Sequence, residues 1–282
     1  MLPHVTRKAD ITIVGPGRLG TALITELRAA GYRVPQIIRR DTKKGKSPVN
    51  TDVVWFCVPD RNIAGAARKL APLTDWKGKT AFHSSGALTS DELNVLRRRG
   101  ATVAAVHPLM TFVRKSTPSL KGVPFGVEGD AAAVRIAKRI IRDLGGEPFL
   151  VPKAAKPAYH AWGAFASPLL VAALVTAEQV ARVAGLSPSA ARKKMLPIIR
   201  QTVENYAKLG PAEAFSGPIV RGDAAIVRKH LQLLKRIPEA RDVYVALARA
   251  ALRHLPARNG KELSEALKEA DHHTDTASQR NK

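Results

Sequence analysis

The 282-residue sequence predicts an α/β domain, with a mostly parallel sheet doubly wound by helices, followed by an all-α domain. Three observations carry this. Short apolar runs alternate with helix-period stretches over residues 10–151, the pattern of parallel strands and crossover helices. The first run, Ile11 to Val14, leads into Gly15-Pro16-Gly17-Arg18-Leu19-Gly20, which has G-x-G-x-x-G spacing and opens a helix. From Lys153 onward the alternation stops and only helical periodicity remains. The predicted boundaries are 1–152 for the first domain and 153–270 for the helical domain, with 271–282 as a disordered polar tail.

Each glycine of the loop has a physical task. Gly15 allows the tight turn, Gly17 the close approach of a pyrophosphate, and Gly20 the packing of helix on strand. Backbone amides at the helix start, from Arg18 and Leu19, favour the phosphates. The loop therefore predicts a Rossmann dinucleotide site, against the plainer reading of a structural turn. The second strand, Val34 to Ile38, ends in Arg39-Arg40-Asp41. An acid at this place serves the ribose hydroxyls of NAD, whereas arginines suit the 2′-phosphate of NADP. Arg39 and Arg40 favour NADP; the alternative is a solvated basic loop continuing through Lys43 and Lys44.

The remaining elements follow in order. Val53 to Val58 is a continuous apolar run, as in a strand buried on both faces, and Val58-Pro59-Asp60 ends it beside the expected nicotinamide ribose. Asp60 is placed to cap the helix through Leu70. Lys79 to His83 forms a strand ending in Ser84-Ser85-Gly86, Ser90 to Arg99 a helix, and Thr102 to Val106 a strand ending in His107-Pro108. Pro124 to Val127 forms a further strand, Asp130 caps the helix Ala131 to Leu144, and Pro148 to Val151 is the last strand. Helices then span 154–184, 189–209, 223–235, 239–254 and 261–270. Pro157, Pro168 and Pro197 fall in first turns or at kinks, so the first helix divides into two pieces.

Composition narrows the function classes. With 46 Lys+Arg against 23 Asp+Glu the net charge is +23, a balance that can mark nucleic-acid binding. The cations are spread along the chain, and 5% aromatic content leaves little for base stacking, so nucleic acid is not the expected partner. The excess reads instead as a surface that attracts anionic ligands. A single cysteine, Cys57, excludes an intrachain disulfide and suggests no metal centre. Met1 to Lys8 is short and polar, and no uninterrupted apolar run reaches membrane-span length, so a cytoplasmic, non-membrane protein is expected. The apolar helix 162–177 is expected to be buried between domains or in a dimer.

Several motifs occur together. The glycine loop, Val58-Pro59-Asp60, His83-Ser84-Ser85-Gly86-Ala87, His107-Pro108-Leu109, Tyr159-His160-Ala161 and Ser216-Gly217-Pro218-Ile219-Val220-Arg221-Gly222-Asp223 appear in that order. In this combination the chain resembles a family of NADP-dependent oxidoreductases with a Rossmann-like domain and a C-terminal helical domain of unknown function. More distantly it resembles pyrroline-5-carboxylate reductase, ketopantoate reductase and 6-phosphogluconate dehydrogenase. The resemblance implies bound NADP(H), a small-molecule substrate held between the two domains, and a homodimer formed through the helical domain.

Hydride transfer to a carbonyl or imine requires a proton donor and groups that orient the substrate. Ser84 and Ser85 are candidates to bind a substrate carboxylate or the nicotinamide carboxamide, or else form an ordinary turn. His107 is a candidate substrate contact, or a structural turn residue. Lys156 and His160 lie four apart and hence on one helix face. The distant dehydrogenases pair a lysine acid/base with an asparagine at this spacing; here histidine takes the asparagine's place. His160, with an ordinary pKa near neutrality, is the first candidate donor and Lys156 the alternative. Ser167 keeps a hydroxyl where the closer family has Ser-Asn, and Arg221 either clamps an anionic substrate or pairs with Asp223. The expected activity is hydride transfer between NADPH and a small anionic carbonyl or imine compound. The rival is a non-catalytic NADP-binding sensor or scaffold.

Overall fold

The computed structural model describes residues 7–39, 48–114 and 118–269. The chain forms two compact units that meet in sequence at Ser167 and Pro168.

The first unit holds a seven-stranded sheet. Its strands are β1 (Ile11–Val14), β2 (Gln36–Ile38), β3 (Val53–Phe56), β4 (Thr80–His83), β5 (Thr102–Pro108), β6 (Pro124–Gly129) and β7 (Glu147–Leu150), in the order β2-β1-β3-β4-β5-β6-β7. β1 to β5 run parallel, which puts the topological switch point between β1 and β3. β6 reverses direction against β5, pairing His107 with Gly126, and β7 runs parallel to β6.

Alternating side chains supply two cores, as the two-residue period of a strand requires. Ile11, Ile13, Val53, Trp55 and Phe82 pack with Leu23 and Leu27 of α1 (Arg18–Ala29) and Ala137 and Ile140 of α4 (Ala131–Asp143). Val54, Phe56 and Ala81 face Ile63 and Ala67 of α2 (Ile63–Leu70), with Leu96 of the short α3 (Asn94–Arg97). Each fully buried Leu or Ile contributes roughly 1.5–3 kcal/mol by leaving water. Asp130 stands at the N-cap of α4, but its carboxylate does not cap the helix. It accepts instead from the Val103 N–H at 2.8 Å and from Arg97, tying α4 to β5. After β7 a single 3₁₀ turn leads into α5 (Lys156–Ala166), with Pro157 in its first turn.

The second unit is helical: α6 (Pro168–Val183), α7 (Pro188–Leu209), the short α8 (Pro211–Ala214) and α9 (Pro218–Arg221), then α10 (Ala224–Leu234), α11 (Pro238–His254) and α12 (Gly260–Glu269). Its core is made by Val227 and Leu231 of α10, Val245 and Ala248 of α11, and Leu263 and Leu267 of α12. Pro197 lies inside α7 rather than at an end. Arg192 donates to both oxygens of Glu178, at 2.7 and 3.0 Å, joining α7 to α6.

The apolar stretch 162–177 spans the end of the first unit and the start of the second. Within the 31-residue stretch Lys153–Val183 an 18-residue window reaches mean hydropathy 1.5, long and apolar enough by composition to cross a membrane, and 6% of that window is buried. Ser167 leaves the helical region (φ −132°, ψ −81°) ahead of Pro168, so the stretch divides into helices of 11 and 16 residues. Both are shorter than the roughly 20 residues of a spanning helix.

Candidate functional site at the strand ends of the first unit

The glycine loop has the backbone that its spacing predicts. Gly15 has φ +89°, and a Cβ there would lie 2.6 Å from Val58 Cγ1. A Cβ at Gly20 would lie 2.4 Å from the Gly15 carbonyl oxygen, while one at Gly17 would meet nothing within 4 Å. Pro16 bridges the two turns, and its carbonyl accepts from Thr21 Oγ1 at 3.3 Å. α1 starts at Arg18 with no side chain capping it, so the amides of Arg18, Leu19 and Gly20 have neither an intrahelical partner nor a side-chain cap. Tight packing under Gly20, space beside Gly17 and uncapped amides are what a pyrophosphate needs.

The neighbouring strand ends complete this edge. Val58 and Pro59 follow β3, with Val58 against Gly15. Arg39 is exposed directly after β2, whereas Arg40 and Lys43–Lys44 lie outside the described residues. After β4, Ser84 Oγ accepts from Trp55 Nε1 at 2.7 Å. The Ser85 hydroxyl donates to Asp60 at 2.7 Å and accepts from the Ala87 and Leu88 amides, which uses its full hydrogen-bonding capacity. Ser85 thus builds the turn rather than offering its hydroxyl to a ligand. Asp60 serves it from a 3₁₀ turn that has no side-chain cap.

His83 is fully buried. Its Nε2 donates to the Thr89 carbonyl at 2.8 Å and its Nδ1 accepts the Ser85 N–H at 3.1 Å, fixing a neutral ring. Burial, reinforced by the Lys156 charge, pushes its pKa down to about 4. This histidine holds the turn.

α5 brings three side chains onto the same turn. Lys156, only 1% exposed, donates from Nζ to the Ser85 carbonyl at 3.0 Å. Burial lowers its pKa to about 8, against the upward pull of Glu128 and Asp60. Glu128 is itself buried and accepts from the Ser90 N–H and hydroxyl, each at 2.8 Å. His107 Nδ1 and the Tyr159 hydroxyl are 2.7 Å apart. His160 is exposed, with its ring centroid 6.4 Å from that of His107. Gly86 lies between the two histidines: a Cβ there would meet His160 Cδ2 at 2.8 Å and His107 Nε2 at 3.0 Å. Burial, with the positive charges of Lys156 and His160, takes His107 down to about 4.

The structure therefore gathers Ser84, Ser85, His107, Lys156 and His160 in one place. Ser167 ends the first unit. Arg221 belongs to the second, where its Nε donates to Asp223 at 2.9 Å, the pairing alternative of the two expected for it. Sequence reasoning gave no role to Tyr159 or Gly86. Their signals were a glycine three residues past the end of an apolar strand and an aromatic three residues after Lys156 on α5.

Comparison with known proteins fits this layout. Residues 123–251 match the family model described as a domain of unknown function, DUF2520. No curated protein matches the chain by sequence. Among solved structures, BF3122 from Bacteroides fragilis, assigned by name as an NADP oxidoreductase, superposes with TM-score 0.71 at 20% identity, over 86% of this chain and 97% of its own. A reductive aminase from Aspergillus terreus, in complex with NADPH and ethyl-5-oxohexanoate, gives 0.62 at 16% identity over 92% and 99%. An imine reductase from Pseudomonas sp. gives 0.58 at 21% identity over 94% and 100%. The chain thus has the fold of these structures, a Rossmann-type sheet that continues into a helical C-terminal part, and residues 123–251 of it match DUF2520.

Proposed function

We propose that this chain is an NADP(H)-dependent oxidoreductase that reduces a small, anionic carbonyl or imine compound. The observation that carries the reading is one sheet edge holding both a dinucleotide loop and a histidine cluster. Gly15 and Gly17 lie between β1 and α1 and Gly20 in the first turn of α1, and His107, Gly86 and His160 lie at the ends of β4 and β5 and on α5. Structures of this fold whose names state NADPH or imine reduction support it.

The bound dinucleotide supplies the hydride. Gly17 and the α1 amides receive its pyrophosphate, Arg39 and Arg40 its 2′-phosphate, and Val58 and Pro59 flank its ribose. Ser84 and His107 orient the substrate, and His160 gives the proton to the reduced oxygen or nitrogen. Lys156 braces the Ser85 carbonyl from behind, since its ammonium is buried.

Calorimetric titration with NADPH and NADH at matched ionic strength tests the cofactor. NADPH binds more tightly, and alanine at Arg39 and Arg40 removes roughly tenfold or more of that preference. Binding of neither nucleotide overturns the proposal. His160→Ala then keeps NADPH affinity and loses NADPH oxidation with a panel of keto and imino acids. Binding without turnover by the unaltered protein selects the sensor reading.

The exposed apolar residues Val171 and Val175 of α6 and Ile198, Val203 and Leu209 of α7 support a homodimer through the helical part. Light scattering then gives twice the 30.4 kDa chain mass, and Val171→Asp with Ile198→Asp halves it. A monomer in buffer, or a chain that needs detergent, refutes this assembly.

A further inference from the structure

Tyr159 makes contacts that the proposed reaction has not used. Its ring is buried between His107 and Phe149, edge-on to both at centroid distances of 5.5 and 5.9 Å. Its oxygen stands over Gly126, where a Cβ would lie 2.7 Å from it, so only glycine permits this approach. Burial pushes the pKa of the phenol up to about 12, so the hydroxyl keeps its proton. The phenol proton then has two acceptors within reach: His107 Nδ1 at 2.7 Å and the His107 carbonyl at 3.4 Å. The nearer is the better acceptor. An Nδ1 that accepts carries no proton, and a neutral imidazole must then carry it on Nε2. That nitrogen edges onto Gly86, opposite His160.

We infer that Tyr159 is a positioning residue that locks His107 as a neutral Nε2–H donor, aimed across Gly86. The inference rests on the oxidoreductase reading only for the donor's use, which is to hydrogen-bond the carbonyl oxygen or imine nitrogen while His160 delivers the proton. A neutral donor polarises that atom without placing a second charge beside Lys156. The groups acting on His107 are Lys156 and His160, which oppose its protonation together with His83, and Asp60, which favours it.

Long-range proton–nitrogen NMR of the full chain with ¹⁵N-labelled histidine reads the tautomer directly. His107 shows a protonated Nε2 and an unprotonated Nδ1, and stays neutral down to about pH 4. Tyr159→Phe keeps the ring and removes the donor: the two tautomers mix and the titration midpoint rises by about one unit. His83, locked by Thr89 and Ser85, stays unchanged as the internal control. A protonated Nδ1 in the unaltered protein overturns the inference without any variant. So does a Tyr159→Phe protein whose His107 keeps its tautomer and midpoint. Neither readout needs cofactor or substrate, so failure here is distinguishable from failure to bind NADPH.

Discussion

Acidification from pH 6.5 to 4 strips several kcal/mol of stability from the first unit, through two histidines. His83 and His107 each have a pKa lowered from 6.5 to about 4 in the fold, chiefly by burial. Between these values the unfolded chain binds the proton and the fold does not. Stability is therefore complete above pH 6.5, drains away as pH falls from 6.5 towards 4, and loses nothing more from these rings below that. A displacement of this size is worth about 3 kcal/mol for each ring. All three tryptophans, Trp55, Trp76 and Trp162, belong to this unit, so fluorescence-monitored denaturation follows it selectively. His83→Gln and His107→Gln each lower stability at pH 7, but each shrinks the difference between pH 7 and pH 4 by about 3 kcal/mol. A pH dependence unchanged in both variants refutes the assignment.

Alanine at Gly20 separates packing from binding when compared with alanine at Gly17. The Gly20 methyl would stand 2.4 Å from the Gly15 carbonyl oxygen and 3.2 Å from Cys57 Cβ, so α1 must move away from β1. Overpacking of this kind costs about 3 kcal/mol, which lowers the melting temperature by roughly 6–12 °C in a unit of this size. The displaced loop also loses its hold on the dinucleotide. The Gly17 methyl meets nothing, so Gly17→Ala keeps the melting temperature and fails only in NADPH titration. Equal thermal loss in the two variants contradicts these separate roles.

What the sequence disclosed follows from how local each determinant is. The loop at Gly15–Gly20 and the apolar runs of β1, β3 and β4 are contiguous signals, and each forms where its residues predict. The division of the first long helix at Ser167 follows from Pro168 for the same reason. The direction of β6 is not local, because Pro124–Gly129 carries the same apolar pattern whichever way it runs. Asp130 and Ser85 show a further limit. Each stands at the expected turn, but the partners of its side chain, Arg97 and Asp60, come from other segments. The pairing of His107 with Tyr159 joins residues 52 apart, and no spacing rule connects them.

The DUF2520 match starts at residue 123, directly before β6, and ends at residue 251 inside α11. The matched segment therefore begins inside the sheet, between two paired strands, and not at the junction of the two units. Cutting the chain at its start would unzip the pairing of Ala104–Pro108 with Phe125–Gly129 and leave two raw sheet edges, an invitation to aggregate. It would also divide His107 from Gly126 and Tyr159. Expressed apart from the first five strands, residues 123–251 are expected to aggregate rather than to fold as a module.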